Sequence, residues 1–247
     1  MTTLVAFGCS HTAGSALDVS KNIFQDYTYN KKHCFAGLIA KQYNLDYYNL
    51  AVPGGSNQYI FRSVSKFLLD YYDTSKDYIF LIGWTSPNRM ELRYPEDSPY
   101  KHITNGDLID LKYIPFTSST APHLLHSGEV RRMLGYSPLL FNEDLLNSNW
   151  ASYAYGIQQM CKNKKIKYYM FNTCQELPIN DTNKKIIQAL DTDYYYNPND
   201  EDSSMLIWGL NQGYEKTECW HLKQDGHQAW KQHIETKLQE IGYLKVS

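Results

Sequence analysis

The chain has 247 residues, 43% hydrophobic and 20% charged, with 24 basic against 26 acidic side chains and a net charge of -2. That length suits one large domain or two small ones at roughly 100–200 residues each. The near-neutral balance removes the general attraction to nucleic acid or an anionic membrane, and apolar runs such as 78–84 fall far short of the roughly 20 residues that cross a bilayer.

Residues 3–8 are a short apolar run ending in small and polar residues, the profile of a buried strand running straight into a loop. The run starts almost at Met1, without the basic start, long apolar region and small-residue cleavage site of a secretory signal. The expected compartment is therefore cytoplasmic, or the virion for a phage-encoded chain. Residues 34–43 carry apolar side chains at helical spacing. A strand over 46–52 is broken by Pro53-Gly54-Gly55, and Ser56 or Asn57 can cap a long amphipathic helix to about Tyr72. Residues 77–83 are almost continuously apolar, as in a central parallel strand covered on both faces. A helix over 149–162, a strand over 166–173 and a C-terminal helix over 226–241 complete the alternation.

This order predicts an α/β chain with an open, mostly parallel sheet wound on both sides, its ligands held by the loops at the strand C-terminal ends. Residues 93–147 break the rhythm with Pro95, Pro99, Pro115, Pro122 and Pro138, and Asn105-Gly106 is a two-residue hairpin signal. They read as an insertion after the third core strand that caps the sheet edge or the site, within a single domain over 1–247. Residues 194–204, polar and acidic, lack the spacing and glycine of a calcium loop and read as a solvated turn.

Four stations could carry chemistry. In Phe7-Gly8-Cys9-Ser10-His11-Thr12 a strand delivers a serine into a glycine-containing loop, where nearby N–H groups can bind an anion. The pattern is neither G-x-S-x-G nor a phosphate-binding or dinucleotide fingerprint. In Asn49 to Asn57, Gly54 and Gly55 let the backbone approach a ligand closely and offer oxyanion donors. Gly83-Trp84-Thr85-Ser86-Pro87-Asn88-Arg89 puts polar side chains at the end of a buried strand. In Glu218-Cys219-Trp220-His221 a carboxylate three residues before a histidine can hold the imidazole and leave its other nitrogen free as a base.

In this order the stations resemble the SGNH (GDSL-like) hydrolases, over nearly the whole chain from residue 4 to about 240. The family's Gly-Asp-Ser nucleophile falls on Ser10, with Cys9 in place of Asp. Its oxyanion glycine, five residues after an Asn, falls on Gly54. Its Gly-x-Asn-Asp motif aligns with Gly83 to Ser86, so Thr85 stands where an oxyanion Asn is expected and Asn88 is the substitute donor. Its Asp-x-x-His motif falls on Glu218 and His221, and the trailing Gly226-His227 places the base at His221 rather than His227. The resemblance implies a three-layer α/β/α, flavodoxin-like fold and a serine ester hydrolase with a Ser10–His221–Glu218 triad. Its oxyanion hole is built from Ser10, Gly54, Thr85 and Asn88, and no metal or organic cofactor is needed. The substrate class it suggests is a short-chain acyl ester or an O-acetylated carbohydrate. The alternative is a catalytically weakened protein of the same fold that binds glycans or serves in a virion.

Other residues point elsewhere only weakly. Cys9 is expected to face back into the sheet, since adjacent strand residues alternate, and His11 to be a loop residue. The five cysteines are scattered and without a C-x-x-C pair, as free thiols would be. His123, His126, His221 and His227 lack further ligands at metal spacing. The 22 tyrosines suit a stacking surface for sugars as well as ordinary half-buried positions.

Overall fold

A computed structural model describes residues 2–17, 28–93, 113–117 and 142–245. Strand β1 (Thr2–Gly8) leads into a single helical turn, α1 (Ser10–Ala13), and then α2 (Thr28–His33) and α3 (Phe35–Gln42) return the chain to β2 (Asp46–Asn49). Helix α4 (Asn57–Asp70) precedes β3 (Asp77–Trp84). A short pair, β4 (Arg89–Arg93) and β5 (Tyr113–Thr117), precedes α5 (Glu143–Lys164) and β6 (Lys167–Asn172). The chain ends with α6 (Lys184–Gln188), α7 (Met205–Asn211) and α8 (Gln224–Glu240).

The main sheet has the order β2-β1-β3-β6, all parallel. Strand parity sorts its side chains into two cores. Val5, Phe7, Phe80, Ile82, Tyr168 and Met170 face Phe67 of α4 and Trp150 of α5. Their alternating neighbours Leu4, Ala6, Ile79, Leu81, Tyr169 and Phe171 face Phe35 of α3 and Trp230 of α8. Both faces are covered, so 77–83 had to read as an unbroken apolar run rather than an alternating one. The result is the three-layer α/β/α arrangement expected. The chain leaves β1 toward β2 and then crosses back to β3, which opens a crevice at the C-terminal ends of β1 and β3. Gly8, the last residue of β1, lies in register beside Gly83, the penultimate residue of β3. A Cβ on either would run into the buried Thr12 side chain of α1. The bare strand ends therefore let α1 fold directly over the sheet.

Several boundaries differ from the sequence reading. Strand β2 stops at Asn49, although the Leu50 and Val52 amides still donate to Ala6 and Gly8. Helix α5 begins at Glu143, six residues before 149, because Asn142 caps the Leu145 amide and Glu143 and Asp144 favour the N-terminal end of the helix dipole. Strands β4 and β5 pair antiparallel around 94–112, and the Asn105-Gly106 turn lies outside the described residues. The segment 194–204 is not solvated throughout. Tyr195 is fully buried, forms a parallel bridge with Met170 beyond β6 and donates its hydroxyl to Asn172 Oδ1 at 2.7 Å. Its three tyrosines followed by a polar, acidic run let a strand-like segment pass for a loop.

The Gly8–Gly83 contact is testable by overpacking. Gly83→Ala should lower stability by about 1–3 kcal/mol, read as the urea midpoint, with Thr12→Ala restoring part of the loss. Thr12 is one obstacle to the new methyl and the Phe171 ring is the other.

Candidate active site

The crevice is built from the turns after β1, β2 and β3 and from the segment before α8. After Gly8, Cys9 is extended (φ -98°, ψ -161°) and caps α1, whose Ala13 amide donates to Cys9 O at 2.9 Å. The chain leaves this turn through left-handed Gly14 (φ +74°). Ser10 is the first helical residue and is 6% exposed. The first amides of so short a turn have no carbonyl ahead of them to bond. Cys9 does face inward, with its Sγ 3.3 Å from Thr173 Oγ1 behind β6.

After β2, the buried Asn49 side chain donates to Thr12 O (3.2 Å) and to Tyr47 Oη (2.9 Å), and it accepts from the Ala51 amide (3.1 Å). This ties the second station to the Ser10 turn. Gly54 follows with φ +73°, a conformation that favours glycine. The amide of Gly55 is taken by Val52 O at 3.0 Å, which leaves Gly54 as the donor the turn can offer.

After β3, Thr85 is almost fully buried and its backbone is clamped by Asn57. The Thr85 amide donates to Asn57 Oδ1 at 2.8 Å, and Asn57 Nδ2 donates to Thr85 O at 2.9 Å. Of the two predicted caps for α4, Ser56 takes the role by accepting the Tyr59 amide. That frees Asn57 to hold the third station. With its amide engaged, Thr85 has only its hydroxyl to offer, 4.0 Å from Cys174 Sγ. Asn88 is half-buried, with its amide 3.4 Å from Ser86 Oγ.

The fourth station is brought against the first. The His221 ring packs on that of His11 at 4.6 Å between centroids. Its Nε2 is buried with no hydrogen-bond partner among the described residues, and its backbone amide donates to Thr217 Oγ1. Nδ1 lies 3.2 Å from Cys219 Sγ. Glu218 is exposed and does not occupy Nδ1. Burial, with His11 and then Arg89 adding repulsion, pushes His221 down to about 4. His227 is fully buried at the start of α8. Its Nδ1 accepts the Phe35 amide at 3.3 Å, capping α3, and burial pushes it down to about 3.

Three residues of this crevice have no assigned role in the sequence reading, although His11 lies within its first station and Arg89 within its third. His11 is a buried member of it, its imidazole held below the usual range by burial. Cys174, half-buried, lies 3.3 Å from Thr173 Oγ1. Hydrogen bonding from Cys9 first, then the Arg89 charge and the Thr173 and Thr85 hydroxyls, holds its thiol down to about 6, while burial lifts Cys9 to about 11. Arg89 completes the group. The available signal was positional, since Cys174 follows β6 and Arg89 follows β3 at the same sheet edge as Ser10.

Among the described residues no cluster of three His, Cys, Asp or Glu side chains is placed to hold a metal ion, and no helix is long and apolar enough to cross a membrane. His123 and His126 lie outside the described residues. A separate cavity of about 390 Å³ between α7 and α8, lined by Trp208, Tyr214 and His233 among others, shares no residue with the crevice.

No protein-family model and no curated protein matches the chain. Among solved structures it is similar to a family two carbohydrate esterase from Clostridium thermocellum in complex with cellohexaose. The TM-score is 0.50 at 11% identity, over 98% of this chain and 65% of that one. It is also similar to the psychrotrophic esterase EstA from Pseudoalteromonas sp. (TM-score 0.49, 8% identity, 96% and 97% covered). A member of the lipolytic G-D-S-L family from Veillonella parvula gives 0.43 at 10% identity, with 98% of each chain covered. The likeness to the carbohydrate esterase establishes the fold, which is the one the SGNH resemblance implies.

The depressed histidines make stability pH-dependent. Unfolded histidines titrate near 6.5, so between that value and the folded values of about 3 for His227 and about 4 for His221 the unfolded chain binds more protons. Their contribution is complete above about pH 6.5 and is lost as pH falls. Urea midpoints should decline steadily from pH 6.5 to 4, and His227→Asn, which can accept the Phe35 amide without titrating, should flatten that slope.

Proposed function

We propose that the protein is a serine ester hydrolase acting on short-chain acyl esters or O-acetylated carbohydrates. The observation that carries this reading is the pairing of the Ser10 turn with a neutral histidine. His221 packs on the residue next to Ser10 and keeps Nε2 buried and without a partner among the described residues. In that state the imidazole is unprotonated at neutral pH, with Nε2 free to take the Ser10 proton in the transition state.

In the reaction, Ser10 Oγ attacks the ester carbonyl as His221 Nε2 takes its proton. The amides of Ser10 and Gly54, with the Thr85 hydroxyl or the Asn88 side chain, receive the developing oxyanion. The tetrahedral intermediate collapses to acyl-Ser10, and the His221 proton passes to the leaving alcohol. Water then attacks the acyl group by the same route, releasing the acid and restoring Ser10. Glu218 is the carboxylate that would steady the imidazolium, reaching Nδ1 by displacing Cys219 Sγ. The esterase of similar fold that carries cellohexaose favours carbohydrate esters among the substrates.

A second reading has its own support. Thr85 stands in place of the longer amide, and Cys219 rather than Glu218 lies at Nδ1. Both suit a chain that has kept the fold and binds glycans without turning them over.

A panel of 4-nitrophenyl acetate, longer acyl esters and acetylated sugars, run with wild type and Ser10→Ala, separates the two. Hydrolysis that Ser10→Ala abolishes supports the esterase. A folded wild type that hydrolyses nothing but retains an oligosaccharide supports the binding protein. For the esterase, kcat/KM should hold its plateau through mildly acidic pH and fall with a midpoint near 4, where His221 protonates. Glu218→Gln should lower kcat on the order of 10²–10⁴-fold, and an unchanged rate would remove Glu218 from the machinery.

A further inference from the structure

Arg89 lies at the start of β4, four residues beyond Thr85, where the chain leaves the third station. Its amide donates to Ser86 O at 3.3 Å, which closes the turn and returns the residue toward the crevice. Its Nη1 is buried and has no hydrogen-bond acceptor among the described residues. The guanidinium is close enough to act electrostatically on Cys9, His11, Cys174 and His221 together. Of these, both histidines are held neutral, and Cys9 is a buried thiol. Cys174 is the one group inclined to carry negative charge. Its hydrogen bond runs to Thr173 Oγ1, with Thr85 Oγ1 4.0 Å away, so among the described residues it answers the Arg89 charge without occupying the buried Nη1.

A cation with a buried N–H and, among the described residues, no carboxylate paired with it is an incomplete pair. Arginine presents a planar fork that matches two oxygens of a carboxylate or phosphate. We infer that Arg89 is the anion-binding residue of this crevice, and that the preferred substrates are esters bearing a carboxylate or other oxyanion close to the scissile bond. This inference rests on the esterase reading for its chemistry, while the anion site itself can be measured without turnover. The anion can sit on either side of the ester. On the acyl side it would be the far carboxylate of a dicarboxylic monoester, and on the alcohol side the carboxylate of an acidic sugar.

The test compares matched esters by pH-stat. Monomethyl succinate is set against methyl pentanoate for the acyl side, and an acetylated methyl glucuronoside against the acetylated methyl glucoside for the alcohol side. Wild type should prefer the charged member of at least one pair, and that pair names the side. In Arg89→Met the charged-to-neutral ratio of kcat/KM should fall about 10–100-fold, with Arg89→Lys intermediate because the charge remains and the fork is lost. A wild type with no preference in either pair, or a ratio unchanged in Arg89→Met, overturns the inference even if esters are hydrolysed. If no ester is hydrolysed, the esterase reading fails by itself. Calorimetric titration of monomethyl succinate and of the glucuronoside into Ser10→Ala still decides the anion site. Binding that Arg89→Met weakens about 10-fold or more sustains it, and absent or unaltered binding sinks it. Unfolding midpoints of each variant guard against a collapsed site, and Arg89→Lys serves where the methionine does not fold.

Discussion

Everything in the crevice depends on two strand ends meeting without side chains. Gly8 and Gly83 lie side by side at the C-terminal ends of β1 and β3, and the room they leave is filled from above by Thr12. Because α1 can sit that low, Ser10 begins a helical turn one residue after Cys9 instead of at the end of a wandering loop. Asn49 then bonds to Thr12 O from the β2 side, and Asn57 clamps Thr85 on the β3 side. Three loops that are far apart in sequence are thus fixed by side-chain amides acting as short struts. Such struts suit a site that must hold its donors in place before a ligand arrives.

The fold was legible because its signals are long-range in period and redundant. A parallel sheet covered on both faces needs unbroken apolar strands, and 77–83 could hardly be anything else. Helices α3, α4 and α8 announced themselves by apolar spacing, and the α/β/α order followed from their alternation with strands. What failed to show were elements whose identity is set by partners. Tyr195 belongs to the sheet because Met170 offers it an open edge, and nothing in a run of tyrosines, asparagines and acids says so. The first turn of α5 depends on the Asn142 cap and two acids rather than on apolar spacing, so it read as part of the preceding segment.

The candidate site was legible in its stations and much less so in its contacts. Ser10 and His221 do come to one crevice, and the fold explains why, since β1 and α8 flank the same end of the sheet. The immediate neighbours of the imidazole are a different matter. A Glu-x-x-His spacing permits a carboxylate at Nδ1 but does not require one, and the tight turn presents Cys219 there. His11, Cys174 and Arg89 come from α1, the turn after β6 and the start of β4. Their meeting is a property of the strand order, and short-range pattern carries no trace of it. The chemical character of the crevice follows from that meeting. Among the described residues its histidines are kept neutral by burial, its polar groups are mostly hydroxyls and thiols, and its positive charge comes from the Arg89 guanidinium.

The Tyr195 segment has a further effect on how copies of this chain behave together. A sheet with an exposed edge strand offers a row of unpaired amides and carbonyls to any other extended chain, which is the usual start of edge-to-edge aggregation. Here the β6 edge is occupied from within. Met170 exchanges backbone hydrogen bonds with Tyr194 and Tyr196, and the Tyr195 hydroxyl is held by Asn172, which also donates to Pro198 O. A foreign strand would have to peel away a fully buried tyrosine before it could pair. The same residues that looked like a polar connecting loop therefore act as a built-in guard on this edge of the sheet, blocking strand addition at Met170.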